Sequence, residues 1–286
     1  MRLYTIEHDH KELVAVRGSN NHLYSLSSLG FEVTDMNKLI LNWETLAPHI
    51  TTKLASASVP PIDHYRLLAP IPAPLQDVVC LGVNYHNHIA ETADVIDFTK
   101  QADTVYFSKR VNRCNNPDAT IPHYDFVDKL DYEVELGIIL KKDAFQVSVE
   151  DAADYILGYT IINDVSARDI QLKHQQWYLG KSLDGYTPMG PCIVTADEIV
   201  DPHNLTIQCY VNNELRQDSN TRYMITSVEE AIAELSQGMT LKAGTVIASG
   251  TPGGVGMGMK PPVFLQSGDV VRCEIEQIGT LCNTVN

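Results

Sequence analysis

Apolar and polar residues alternate along much of this chain. Successive side chains of a strand point to opposite faces, so the alternation predicts strands more than helices. Strand-like runs fall at residues 3–7, 13–17, 22–26, 78–83, 105–108, 130–140, 159–163, 191–195, 205–211, 245–249 and 270–276. Asn212-Asn213, lying between two such runs, predicts a hairpin turn because asparagine tolerates left-handed backbone. Helical signals are fewer. Ser227-Val228-Glu229-Glu230 reads as a capping box ahead of Ala231, Ile232 and Leu235, with Gly238 where a C-cap glycine belongs. A second helix is expected to begin near residues 148–151, and the stretch from Asn84 to Glu91 turns polar and helix-like just past Gly82. Pro60, Pro61, Pro70, Pro72 and Pro74 suit an extended connector, since proline fixes φ and removes amide donors. The pattern therefore divides into a small N-terminal α+β domain, residues 1–72, and a larger, β-rich mixed α/β domain, residues 73–286.

Composition narrows the class. With 286 residues and 44% hydrophobic content, the chain can bury a full core. Its 36 acidic against 21 basic side chains give a formal charge of −15, and without any basic run this argues against nucleic acid as a partner. The opening MRLYTIEHDHKEL has no apolar h-region and no run approaches bilayer length, so neither secretion nor membrane insertion is expected and the address expected is cytoplasmic. Six cysteines without a C-x-x-C pair predict core thiols, not a zinc, redox or disulfide framework.

Candidate chemistry centres on residues 130–140. As a strand, this run sends Leu130, Tyr132, Val134, Leu136 and Ile138 one way and Glu133 and Glu135 the other. Neighbouring Cα atoms on one strand face are roughly 7 Å apart, so converging carboxylates ask for a cation or a proton between them; a solvated Glu-x-Glu face is the plainer alternative. Asp164, at the end of an apolar strand, is either a third carboxylate or an N-cap. Three carboxylates would make an all-oxygen site suited to Mg²⁺ or Mn²⁺ and not to Zn²⁺. His88 and Glu91, three apart, share a helix face, where the carboxylate can hold one imidazole nitrogen and leave the other to move a proton. The same spacing also suits a surface pair. Lys181 in Gly180-Lys181-Ser182 is either a solvated lysine or a positive charge for a developing enolate. Residues 248–258 hold five of the 17 glycines, enough for the backbone to point amides at an anion, or simply for a flexible loop.

The segments NYHNHIAE, DYEVELGIIL, GYTIINDVSARDIQ, GKSLDGYTPMGP, SGTPGGVGMG and SGDVVRCEIEQIG, in this order, resemble the fumarylacetoacetate hydrolase family over residues 78–286, in particular its acylpyruvase-like and 2-hydroxyhepta-2,4-diene-1,7-dioate isomerase-like branch. The resemblance implies a β-sandwich or roll of the family's own type, a homodimer, and bound Mg²⁺ or Mn²⁺. It matches Glu133, Glu135 and Asp164 to metal ligands, and His88 and Glu91 to a dyad on a lid. It matches Lys181 and Gln171 to groups contacting the keto acid end of a small 2-oxo acid. Arg168, Gly250 and Thr251 fall in the substrate-binding set. The chain departs from the pattern at Tyr106-Phe107-Ser108-Lys109-Arg110-Val111-Asn112-Arg113, where many relatives have a lysine-proline pair, and Arg110 and Arg113 become candidates for a second carboxylate. The implied activity is hydrolysis of acylpyruvate-like 2,4-dioxo acids to pyruvate and a carboxylic acid. The alternatives are decarboxylation or isomerisation of oxo-dioates of aromatic catabolism, oxaloacetate decarboxylation included, and non-catalytic metabolite binding on the same fold.

Overall fold

The computed structural model describes residues 1–56, 58–92 and 103–286. Most of the strands fall into two sheets. Among the described residues the larger has ten strands, in the order Leu23–Ser25, Lys11–Arg17, Arg2–His8, Met189–Thr195, Ile156–Asn163, Val134–Leu140, Val246–Ala248, Val78–Gly82 and Val105–Lys109, with Arg66–Leu68 branching from Arg2–His8. The second runs Glu214–Asn220, Thr206–Val211, Val270–Ile275, Gly279–Val285 and Thr120–Ile121. A short ladder joins Ser166–Ala167 to Leu130–Asp131. The leading segment is stitched into the large sheet, with Arg2 opposite Val194 and Leu3 opposite Ile193. The result is a β-rich mixed α/β fold.

Strands in the middle of the large sheet are covered on both faces. Leu136 and Ile138 belong to one core with Ile207, Cys209, Val271 and Cys273 of the second sheet. Ile139 and Ile162 belong to another with Leu39, Ile40 and Ile50 of the N-terminal helices Met36–Leu41 and Trp43–Ala55. Every residue of Val134–Leu140 and of Ile156–Asn163 is consequently buried. Burial on both faces explains why these segments read as nearly continuous apolar runs, and it removes the solvated Glu-x-Glu face.

Three local expectations are corrected. The run at 130–140 is two strands, broken at residues 132 and 133, because side chains replace ladder partners there. The Asp131 carboxylate accepts the Tyr132 amide at 2.9 Å, and the Glu133 amide donates to Asn163 Oδ1 at 3.0 Å. The helix expected near 148–151 shrinks to a 3₁₀ turn, Ala152–Tyr155, because the chain passes at once into a buried strand. Helix Val228–Ser236 opens on the expected capping box but closes at Gln237, whose amide bonds Glu234 O at 3.3 Å, and Gly238 does not take positive φ. The hairpin forms as read, with Asn212 and Asn213 at φ 51° and 67°. All six cysteines are free thiols, five of them buried. Among the described residues, no helix is long and apolar enough to cross a membrane.

Candidate active site and metal centre

The site forms where several chain segments end on one side of the large sheet. Glu135 lies near the start of strand Val134–Leu140, Glu133 just before it, and Asp164 just beyond the adjacent antiparallel strand Ile156–Asn163. All three are buried, and their oxygens lie within 4.8 Å of one another. Asp164 is thus not the N-cap of the following helix, Arg168–Lys173, which starts four residues later and is capped by Ala167.

Cations surround this cluster. Lys181 ends the short helix Tyr178–Lys181, buried, and its Nζ donates to Glu133 Oε2 at 2.7 Å and to Asp164 Oδ2 at 2.8 Å. Arg168 Nε donates to Asp131 Oδ2 at 2.8 Å, and its Nη2 lies 2.6 Å from Glu133 Oε1. Its Nη1 donates to Gln171 Oε1 at 3.1 Å. Lys109 Nζ donates to Asp164 Oδ1 and to the carbonyl of Tyr186 at 2.7 Å. Burial raises the Glu133 carboxyl, but the Lys181 and Arg168 charges outweigh it and hold it at about 2. Glu135 goes the other way: burial first, then the Asp164 and Glu133 charges, push it well above the usual carboxylate range. Burial would lower the Lys181 ammonium, yet Asp164 and Glu133 outweigh it and hold it at about 12.

The second half of the site is the helix His86–Thr92, which follows strand Val78–Gly82. His88 Nδ1 and Glu91 Oε1 are 2.8 Å apart, as the three-residue spacing predicts. The glycine-rich stretch does aim its amides at anions, but the anions are the protein's own. Gly254 N donates to Glu91 Oε2 at 2.6 Å, Gly256 N and Met257 N to Asp131 at 2.8 and 3.0 Å, and Gly250 N to Glu135 Oε2 at 2.8 Å, while Gly253 N donates to the neutral amide oxygen of Asn87 at 3.1 Å. The helix lies so close on this loop that a Cβ on Gly258 would sit 2.6 Å from Glu91 Cδ. Thr251 Oγ1 donates to Val134 O at 2.9 Å and accepts from Gln217 Nε2 at 2.7 Å.

A compact cavity of about 30 Å³ separates the dyad from the acidic cluster. His88, Glu133, Glu135, Arg168, Gln171, Lys181 and Thr251 line it, and Phe107, Trp177, Leu81 and Met257 supply apolar wall. The structure thus brings the expected residues together, with two qualifications. Arg168 is committed to Asp131, Glu133 and Gln171, which makes it first of all a strut for other side chains. Arg110 and Arg113 do not line the cavity: Arg110 is 61% exposed and 3.8 Å from Asp77, and Arg113 pairs with Glu12. Asp131 and Lys109 are the residues missed. Their sequence signal is slight: a charge inside or at the end of an apolar strand, at a position where burial obliges it to find a partner.

A hard dication fits what is present. The three carboxylates offer an all-oxygen donor set. Burial first, and then the Asp164 and Glu133 charges, raise the Glu135 carboxyl, and a cation between the oxygens would relieve the repulsive part.

A β-rich fold that buries a carboxylate triad beneath a His-Glu pair defines a class of small-molecule enzyme. Residues 77–286 match the family model described as fumarylacetoacetate (FAA) hydrolase C-terminal, and the chain belongs to that family. It is 42% identical over 224 residues to oxaloacetate tautomerase YisK of Bacillus subtilis (strain 168), covering 78% of this chain and 74% of that protein. A fumarylacetoacetate hydrolase from the psychrophile Exiguobacterium antarcticum superposes over 100% of this chain and 99% of its own, with TM-score 0.86 and 39% identity. Maleylpyruvate hydrolase of Sphingobium sp. SYK-6, in complex with manganese(II) and pyruvate, superposes over 100% of this chain and 98% of its own, with TM-score 0.78 and 27% identity.

Proposed function

We propose that this protein is a divalent-cation-dependent keto–enol tautomerase of a compact 2-oxo dicarboxylic acid of the oxaloacetate kind. The observation that carries the reading is the placement of His88, held by Glu91, on the wall of one cavity with Glu133, Glu135 and Lys181. Moving one proton between C3 and the 2-oxo oxygen needs neither an attacking water nor space for a departing acyl group. The name of the 42% identical Bacillus relative points the same way.

Glu133, Glu135 and Asp164 are the residues that would hold Mg²⁺ or Mn²⁺, and the bound ion would polarise the 2-oxo group and offset the charge of the enolate. Glu91, itself fixed by Gly254 N, orients His88 through Nδ1 and leaves the other ring nitrogen to take the proton from C3. The C3–H electron pair becomes the C2–C3 double bond, and the oxygen at C2 is protonated in turn. Lys181, charged and on the cavity wall, faces the negative charge that develops on that oxygen. Gln171 presents its side-chain Nε2 to the acid's remaining oxygens, whereas the Thr251 hydroxyl, its proton given to Val134 O, serves as cavity wall.

Hydrolysis of an acylpyruvate is the second reading, favoured by the same dyad, which could instead activate water, and by the name of the Sphingobium neighbour. The test follows the ultraviolet absorbance of the oxaloacetate enol with Mg²⁺ or Mn²⁺, alongside pyruvate and CO₂. Faster keto–enol equilibration that is lost in His88→Gln and Glu91→Gln, with no pyruvate released from acetylpyruvate, supports the proposal. Pyruvate from acetylpyruvate without tautomerase activity transfers it to hydrolysis, and CO₂ from oxaloacetate transfers it to decarboxylation.

A further inference from the structure

Two lysines bind Asp164, and their surroundings differ. Lys181 Nζ bridges two carboxylates of the candidate metal cluster, lines the cavity and lies 5.4 Å from the Phe107 ring centroid. Lys109 is fully buried and does not line the cavity. Its Nζ donates to Asp164 Oδ1, to Tyr186 O at 2.7 Å and to Val165 O at 3.4 Å, so all three ammonium protons have acceptors. Three separate parts of the chain meet here: the end of strand Val105–Lys109, the turn after Ile156–Asn163, and the segment leading to Met189–Thr195.

We infer that Lys109 is a positioning residue for the metal centre: it occupies Asp164 Oδ1 from behind, fixes the carboxylate plane, and presents Oδ2 to the cluster. Lys181 holds that Oδ2 in the structure described. Lys181 would share the cluster's oxygens with a bound cation, whereas Lys109 is anchored to two backbone carbonyls outside it. The two lysines therefore have separate tasks, one supporting a ligand and one facing the substrate. This inference rests on the acidic cluster being a cation site, as proposed above, and is independent of which reaction the site performs. Loss of a group that orients a metal ligand typically weakens binding by roughly 10–100-fold.

The test is Mn²⁺ binding to the full chain at neutral pH, followed by the electron paramagnetic resonance signal of free Mn²⁺, for the parent, Lys109→Gln and Lys109→Arg. Circular dichroism and melting in EDTA report folding separately. Lys109→Gln is expected to raise the Mn²⁺ Kd by roughly 10–100-fold, with Lys109→Arg falling between it and the parent. Should Lys109→Gln not fold, Lys109→Arg carries the test alone, expected to weaken Mn²⁺ measurably because a planar guanidinium cannot reach the same three acceptors. Parental Mn²⁺ affinity in either folded variant overturns the inference. Failure of the parent to bind Mn²⁺ removes the cation site itself and with it the premise, whereas binding without tautomerase activity refutes only the proposed reaction.

Discussion

Gly258→Ala should silence the dyad while leaving the fold intact. A Cβ built at Gly258 lies 2.6 Å from Glu91 Cδ and 2.7 Å from Cγ, against 3.4 Å or more for ordinary contact, so the Glu91 side chain must retreat by about 1 Å. The 2.8 Å bond to His88 and the 2.6 Å bond from Gly254 N would then stretch to or beyond the limit of a useful hydrogen bond, near 3.5 Å. A misplacement of about 1 Å in a catalytic constellation costs roughly 10²-fold in rate, or about 2.7 kcal/mol. The stability cost stays within about 1 kcal/mol, because the clashing atoms end a side chain that can move and alanine loses less chain entropy than glycine. Gly256→Ala is the contrast. There the new Cβ meets the Val263 carbonyl oxygen at 2.1 Å, backbone that cannot swing aside, and about 1–3 kcal/mol of stability should be lost. The assay pairs kcat for keto–enol conversion with urea denaturation of both variants. A folded Gly258→Ala enzyme with kcat within threefold of the parent would refute the reasoning.

Three further outcomes follow from the same geometry. Asp131→Asn removes one of the two carboxylates that face the buried Arg168 guanidinium, Glu133 remaining, and weakens the acceptor of the Gly256 and Met257 amides, so chemical denaturation should show a loss of about 1–3 kcal/mol. Saturating Mg²⁺ or Mn²⁺ at about 100 times Kd should stabilise the protein by about 2.7 kcal/mol, with EDTA reversing it and Glu135→Gln abolishing it; a melting temperature indifferent to both ions would count against the acidic cluster as a cation site. His203, 2.7 Å from Glu229, is raised above its ordinary value by that hydrogen bond, against the opposing effect of burial, and Glu229 is lowered mainly by the same bond. The pair's contribution, up to about 1 kcal/mol, is lost as pH rises through the raised His203 value and as it falls through the depressed Glu229 value. The stability gap between parent and His203→Gln should accordingly be wider at pH 6 than at pH 9, which denaturation at the two pH values checks.

What could be read along the chain was whatever depends on neighbours. The capping box at Ser227 and Glu230, the Asn212-Asn213 hairpin and the apolar strand runs are local matters, decided by spacing and backbone preference over a few residues. The His88–Glu91 bond was legible for the same reason, since one helical turn fixes it. Glu133, Glu135 and Asp164 could be named from ordered motifs, but their convergence is a product of pairing between strands far apart in sequence.

Tertiary structure decided the partners. Gly238 looked like a helix stop, yet Gln237 closes the helix without left-handed backbone. Lys109 stood in a stretch that departs from the family pattern, and only burial put its ammonium on Asp164. The loop amides suggested an external anion, and the fold supplied Glu91, Asp131 and Glu135 instead. A charge or an amide announces in sequence that it needs a partner once buried, because desolvation without one is costly. Which atom answers is settled only when the sheets close and bring distant residues within about 3 Å.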